Sequence, residues 1–245
     1  MAPVSDDPVR LAVWSGPRNI STALMRSWEN RADTVVVDEP LYAYYLATTR
    51  LDHPARDEIV AAGETDWRRV VETLLGSVPA GTAVFYQKHM NGHLLPEVDR
   101  SWIRRLTNVL LIRDPREVVA SYTKARASVT PDDIGLPQQV ALYDELAAED
   151  TPPPVIDAAD FLRDPERHLR ALCAYVGVEF SDRMLRWPSG RRESDGIWAP
   201  HWYAAVERST GFAPYRPREV RLSGELARVA AACMPLYERL REATG

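Results

Sequence analysis

RLAVWSGPRNISTALMRSW, residues 10–28, decides how the chain is read. An apolar run from Leu11 to Trp14 stops at Ser15-Gly16-Pro17-Arg18-Asn19. Ser21-Thr22 then opens a helical pattern through Ala23, Leu24, Met25 and Trp28. Strand, tight loop and helix N-terminus together present unpaired backbone N–H groups and a positive dipole end, a site for an anion. Arg18 adds a fixed charge, and the Ser21 and Thr22 hydroxyls add donors. The loop is predicted to hold a phosphate-like group. It is not the nucleotide triphosphatase loop, because the required Gly-Lys pair falls on Ser21-Thr22. It is not a dinucleotide loop either, since Gly16 is the single glycine between Leu11 and Asn30.

Working outward, short β-branched runs predict strands at 10–15, 34–38, 82–87, 108–112 and 154–157. Helical patterns lie between and after them, at 21–30, 67–75, 116–127, 138–148, 165–176 and 224–242. This alternation predicts an α/β fold, a doubly wound, mainly parallel sheet of five strands flanked by helices. Ligands of such sheets sit at the carboxyl ends of the strands, where the 16–22 loop falls. We expect one domain over 1–245, with two departures from the alternation. Residues 42–66 read as a surface excursion. Residues 187–222 carry three Trp, six Arg and four Pro, and read as a long functional loop whose aromatics argue against disorder.

Composition narrows the partners. A net charge of −5 speaks against nucleic acid, whose binders carry basic surfaces. No run has the length of a signal core or a membrane span, so the expectation is a cytoplasmic protein without a membrane partner. Cys173 and Cys233 lie in helical patterns without metal spacing and are expected to be buried free thiols. No metal-ligand cluster of Asp, His or Cys is evident. The oligomeric state stays open.

A second anchor follows the fourth strand: Arg113-Asp114-Pro115-Arg116-Glu117, with Ser121 two turns into the next helix. Asp as N-cap and Pro at the first helical position are strong start signals. LIRDPREVVASY and SGPRNISTAL together resemble the two nucleotide-binding motifs of the sulfotransferases that use 3′-phosphoadenosine 5′-phosphosulfate (PAPS), most closely a compact bacterial branch. Arg113, Asp114, Pro115, Glu117 and Ser121 match the second motif at every defined position. Pro17, Arg18, Ser21 and Thr22 match the first, which has Asn19-Ile20 where Ser-Gly is usual. A third segment, from Ile156-Asp157 through Asp164-Pro165-Glu166 to Val176-Gly177, agrees, and the order and spacing of all three hold over roughly residues 10–180.

The resemblance implies a sulfotransferase acting on a hydroxyl or amine of a small-molecule acceptor, with PAPS as co-substrate and no metal. It implies that Arg18 sits on the leaving oxygen and that the backbone of Asn19, Ile20, Ser21 and Thr22 cradles the 5′-phosphate. Arg113 and Ser121 would hold the 3′-phosphate, with Arg191 or Arg192 added from the late loop. The acceptor's proton needs a base, and His89 and His93 in Tyr86-Gln87-Lys88-His89-Met90-Asn91-Gly92-His93 both qualify. His89 is preferred as nearer the strand end, and Lys88 is assigned to neutralising the sulfuryl group. Glu39, Tyr42, Trp198 and Trp202 are candidates for the acceptor pocket. The alternatives are a small-molecule kinase or phosphotransferase and a non-catalytic nucleotide-binding protein of the same fold.

Overall fold

The computed structural model describes residues 7–123, 128–148, 152–217 and 219–244. Five strands, β1 (Val9–Ser15), β2 (Thr34–Asp38), β3 (Val84–Met90), β4 (Thr107–Ile112) and β5 (Val155–Asp157), form one sheet in the order β2-β3-β1-β4-β5. Every neighbouring pair is parallel. The helices, in chain order, are α1 (Ser21–Glu29), α2 (Tyr42–Thr49), α3 (Arg56–Ala62), α4 (Trp67–Leu75), α5 (Pro115–Tyr122) and α6 (Pro131–Ile134). They continue with α7 (Leu136–Ala147), α8 (Ala158–Arg163), α9 (Pro165–Val176), α10 (Ala199–Trp202), α11 (Ala204–Glu207) and α12 (Gly224–Glu242).

The sheet's continuous apolar runs exist because both faces are covered. Side chains alternate along β1. Leu11 and Val13 pack with Leu24, Met25 and Trp28 of α1 and with Phe161 of α8 and Leu169 of α9. Ala12 and Trp14 face the other way, onto Tyr44 of α2 and Val70 and Leu74 of α4. On that second face Leu110 and Ile112 of β4 meet α5, α7 and α12. Burying each such aliphatic side chain contributes roughly 1.5–3 kcal/mol. The Trp14 indole N–H is satisfied by Asn108 Oδ1 at 2.8 Å.

Two segments depart from expectation. Residues 42–66 are not a surface excursion: they hold α2 and α3, and Tyr42, Ala43, Tyr44, Leu46 and Ile59 are buried. The helix was hidden because α2 is covered on more than one side, so no polar face marks its period. Residues 187–217, expected as a long loop, form a strap that contains the short helices α10 and α11. Arg26 of α1 anchors it through a buried ion pair with Asp195 at 2.7 Å. Residues 124–127 of the predicted 116–127 helix lie outside the described residues, and α5 is described to Tyr122. Cys173 and Cys233 are buried free thiols.

Strand β3 runs three residues further than the spacing predicts, to Met90 instead of Gln87. That extension changes the reading of the site.

Candidate active site

The order of strands fixes where a ligand can sit. The chain leaves β1 towards β2 on one side and leaves β4 towards β5 on the other, so a crevice opens between the carboxyl ends of β1 and β4. The 16–20 loop occupies it. Gly16 is required there by close approach, because a Cβ would lie 2.4 Å from the carbonyl oxygen of Ile134. Arg18 takes a left-handed backbone, φ 57°, a conformation that costs a side-chain-bearing residue on the order of 1–3 kcal/mol and clusters at functional sites. The Asn19 amide pins the loop: Nδ2 donates to the Leu111 carbonyl at 3.0 Å and Oδ1 accepts from the Ile20 N–H at 2.8 Å. Ile20 has an ordinary φ of −89°, and its side chain packs against the core cluster under α1. No side chain caps α1, which leaves its first N–H groups to a ligand.

The two arginines of the motifs meet. Arg113 Nη1 donates to the Arg18 carbonyl oxygen at 2.6 Å, and Arg18 Nε donates to Ser121 Oγ at 3.0 Å. Glu117 Oε2 accepts from Arg113 Nε at 3.0 Å and from Nη2 at 2.7 Å. Arg18 pairs with no carboxylate among the described residues. Its pKa is lowered by burial and then by the neighbouring charge of Arg113. The Arg18 guanidinium and an uncapped helix end, with Arg113 held beside them by Glu117, form a site whose charge is left for an anion to complete.

This loop lines a cavity of about 430 Å³ that also reaches Arg113 and Ser121, within the range of small-molecule sites, about 300–1,000 Å³. Tyr42, Tyr45, His53, His93, Trp202 and Tyr203 give the same cavity an aromatic lining, beside Glu39, Lys88 and Met90. Among the described residues no group of acidic, His or Cys side chains could hold a metal ion.

Several expected site residues are placed otherwise. Because β3 continues through Met90, Lys88 and His89 occupy successive positions of one strand and face opposite ways. Lys88 faces the cavity, whereas His89 lies on the far face, stacked on Trp14 at 4.1 Å with Nε2 3.2 Å from Gln87 Oε1. The preference for His89 as base is therefore corrected: it does not line the cavity, and His93 does. Burial, and then the neighbouring Lys88 and His53, pulls the His93 pKa down to about 3. Its ring is neutral at pH 7.

Lys88 is committed to carboxylates. Its Nζ donates to Asp38 Oδ1 at 2.7 Å, Glu39 Oε1 at 2.5 Å and Tyr203 Oη at 2.8 Å. Desolvation opposes its charge, but the two carboxylates prevail and hold its pKa well above the usual lysine value. Neutralising a sulfuryl group is not what this arrangement offers. Arg191 and Arg192 also miss the cavity: Arg191 lies near Glu207, and the Arg192 backbone N–H is held by Asp195 with its Nε toward Glu29. Trp198 does not line the cavity but packs edge-on against Tyr42 and donates to Tyr203. Asp38 and Tyr203 were not singled out from sequence. Tyr203 donates to Asp38 Oδ2 at 2.6 Å across 165 residues, and no local pattern signals such a pair.

Comparison with known proteins agrees with this architecture. Residues 9–244 match the family described as Sulfotransferase domain. Two curated relatives from Arabidopsis thaliana, branched-chain-amino-acid aminotransferase-like proteins 1 and 2, are 37% and 36% identical over 96% and 93% of this chain. The chain spans about two-fifths of their length (42% and 40%). Among solved structures, the sulfotransferase domain of the Synechococcus PCC 7002 olefin synthase is 15% identical with a TM-score of 0.59, covering 98% of this chain and 97% of that one. A sulfotransferase from Alicyclobacillus acidocaldarius is 12% identical with a TM-score of 0.57, at 96% and 95% coverage. Mouse sulfotransferase SULT7A1, solved with PAP, is 12% identical with a TM-score of 0.54, at 99% and 92% coverage. At these identities the structures share the fold with this chain, and the family match covers nearly all of it: the chain belongs to the sulfotransferase domain family.

Proposed function

We propose that the protein transfers a sulfuryl group from PAPS to a hydroxyl (or amine) of a small-molecule acceptor. The observation that carries this reading is the convergence of Arg18, Arg113 and Ser121 on one loop and one uncapped helix end, in a cavity that His93 also lines. A donor with phosphates at both its 3′ and 5′ positions needs two cationic anchors close together, and this crevice has them. One of the structural neighbours was solved with PAP, the product such a donor leaves.

In this reading Arg18 and the N–H groups of residues 19–22 bind the 5′-phosphate. Charge grows on the bridging oxygen as the S–O bond breaks, and a fixed guanidinium there stabilises it without reorganisation. Arg113 and Ser121 take the 3′-phosphate, Arg113 through its planar fork. Ser121 would exchange its present bond with Arg18 for one with the ligand. His93 accepts the acceptor's proton, in line with sulfuryl transfer. The aromatic wall selects an acceptor with an apolar face, and Glu39 disfavours one carrying a carboxylate near the reacting hydroxyl. The setting is the cytoplasm, where two buried thiols stay reduced.

Calorimetry with PAP, 5′-AMP and ATP tests the donor. PAP should bind at least ten-fold more tightly than 5′-AMP. Equal affinity for the two nucleotides removes the role given to Arg113 and Ser121.

A further inference from the structure

His93 carries a buried nitrogen with nothing to bind. Nδ1 has no hydrogen-bond partner among the described residues, and Glu39 Oε2 stands 3.9 Å away. An unpaired buried polar atom is costly, so its persistence needs a reason. The ring has little freedom to turn towards another partner. Tyr42 stacks on it at 4.4 Å and 11°, and Tyr45 at 4.8 Å and 28°.

Glu39 is held just as firmly. It follows β2 with a left-handed backbone, φ 43°, and its N–H donates to the Lys88 carbonyl at 2.9 Å. Lys88 Nζ occupies Oε1 and is itself fixed by Asp38 and Tyr203. One carboxylate oxygen is thereby anchored, and the other is left beside the orphaned imidazole nitrogen.

We propose that Glu39, anchored by Lys88, is the positioning residue of His93, with Oε2 accepting a hydrogen bond from Nδ1–H and so leaving the Nε2 lone pair for the acceptor. The contact needs to shorten by about 1 Å to reach hydrogen-bond length, and hydrogen bonds of free active sites commonly tighten when ligands bind. This inference rests on His93 being the base of the reaction proposed above. In that step the acceptor O–H bond breaks as its oxygen bonds to sulfur, and the proton passes to His93 Nε2. The electron pair of the S–O bond leaves on the 5′-phosphate oxygen of PAP. The imidazolium so formed lies against the Glu39 carboxylate, which stays ionised. A ring at about 3 is a weak proton acceptor, and a carboxylate closing on Nδ1 raises its affinity for the proton when transfer needs it.

The test reads the tautomer directly. The chain has five histidines, so ¹⁵N-histidine labelling of the PAP complex at pH 7.5 gives few signals, and His93→Gln assigns the one that matters. The expected result is Nδ1 protonated and Nε2 bare in the wild type, a shift of the population towards Nε2–H in Glu39→Gln, and recovery in Glu39→Asp. A wild-type Nε2–H tautomer overturns the proposal, and it does so even if Glu39→Gln fails to fold. An unchanged tautomer in a folded Glu39→Gln overturns it too. The underlying reading fails separately: a His93→Gln variant that still transfers sulfuryl from PAPS removes the base, whatever the tautomer.

Discussion

Lys88 and His89 are neighbours in the chain and lie on opposite faces of the sheet. Lys88 is paired in register with Val13 and His89 with Trp14, and the alternation of a strand sends the first to the cavity and the second into the core. A histidine stacked on a buried tryptophan is a packing residue. His89→Leu should therefore leave sulfuryl transfer within a few-fold of wild type while changing the unfolding midpoint. His93→Gln should lower turnover by about 10²–10⁴-fold, the usual contribution of a positioned base, with PAP affinity unchanged. Transfer from labelled PAPS to a panel of phenols and alcohols, with calorimetry alongside, measures both. The reverse pattern would return the base to His89.

Arg113 is the residue that should distinguish a 3′-phosphate from a free hydroxyl. Its guanidinium already gives two nitrogens to Glu117 and one to the Arg18 carbonyl, so its plane is set before the nucleotide arrives. Charge-assisted hydrogen bonds contribute about 1.5–3 kcal/mol each. Arg113→Ala should weaken PAP binding by about 10–100-fold and leave 5′-AMP binding nearly unchanged. Arg113→Lys should recover only part, because a lysine cannot present the fork. Equal losses for both nucleotides would mean that Arg113 supports the loop and does not read the 3′ position.

Much of this molecule is legible in its sequence because the signals are local. Strands β1, β2, β4 and β5 fall within a residue of where the apolar runs predict them, and β3 overlaps its prediction. Helices α4, α9 and α12 begin and end at the predicted residues, where Asp66 and Asp164 cap the first turns and Gly76 and Gly177 follow the last. What stays hidden is set by distance or by register. Glu39, Lys88 and Tyr203 meet from three separate segments, and only the fold brings them together. The His89 assignment turned on where β3 ends, a matter of three residues, and an apolar run bounded by polar residues does not mark that point. Helix α2 was invisible because burial on several sides erased its periodicity.

Ile20 illustrates the same limit at the scale of one loop. A glycine is usual there in related motifs, yet Ile20 has negative φ and a side chain seated on the core. The left-handed conformation of this loop is at Arg18, and the close backbone approach is at Gly16. Ile20→Gly should therefore lower stability by about 2 kcal/mol through lost burial and added chain entropy, without tightening PAP binding. Gly16→Ala should be worse for the site, since its Cβ would press on the Ile134 carbonyl. Overpacking of that kind costs about 1–3 kcal/mol. It should weaken PAP as well as lower the melting temperature. A Gly16→Ala protein with unaltered affinity would show that the α6 contact is not what shapes the loop.

The two buried histidines make stability fall in acid. Burial is the main cause for both, and their pKa values drop from an ordinary 6.5 to about 3. Below about 6.5 the unfolded chain binds a proton at each site that the folded chain refuses. The stability they carry is therefore complete above pH 6.5 and is lost progressively as pH falls towards 3. Each contributes a slope approaching about 1.4 kcal/mol per pH unit. Asp38 works with the opposite sign, because desolvation raises its carboxyl pKa, so the wild-type curve alone mixes the terms. Comparison with His93→Gln separates them. Urea unfolding at pH 6, 5.5 and 5 should give a shallower pH slope in the variant, by roughly one histidine's share. If the two slopes coincide, His93 titrates alike in the folded and unfolded chains, and burial does not hold its ring neutral at pH 5.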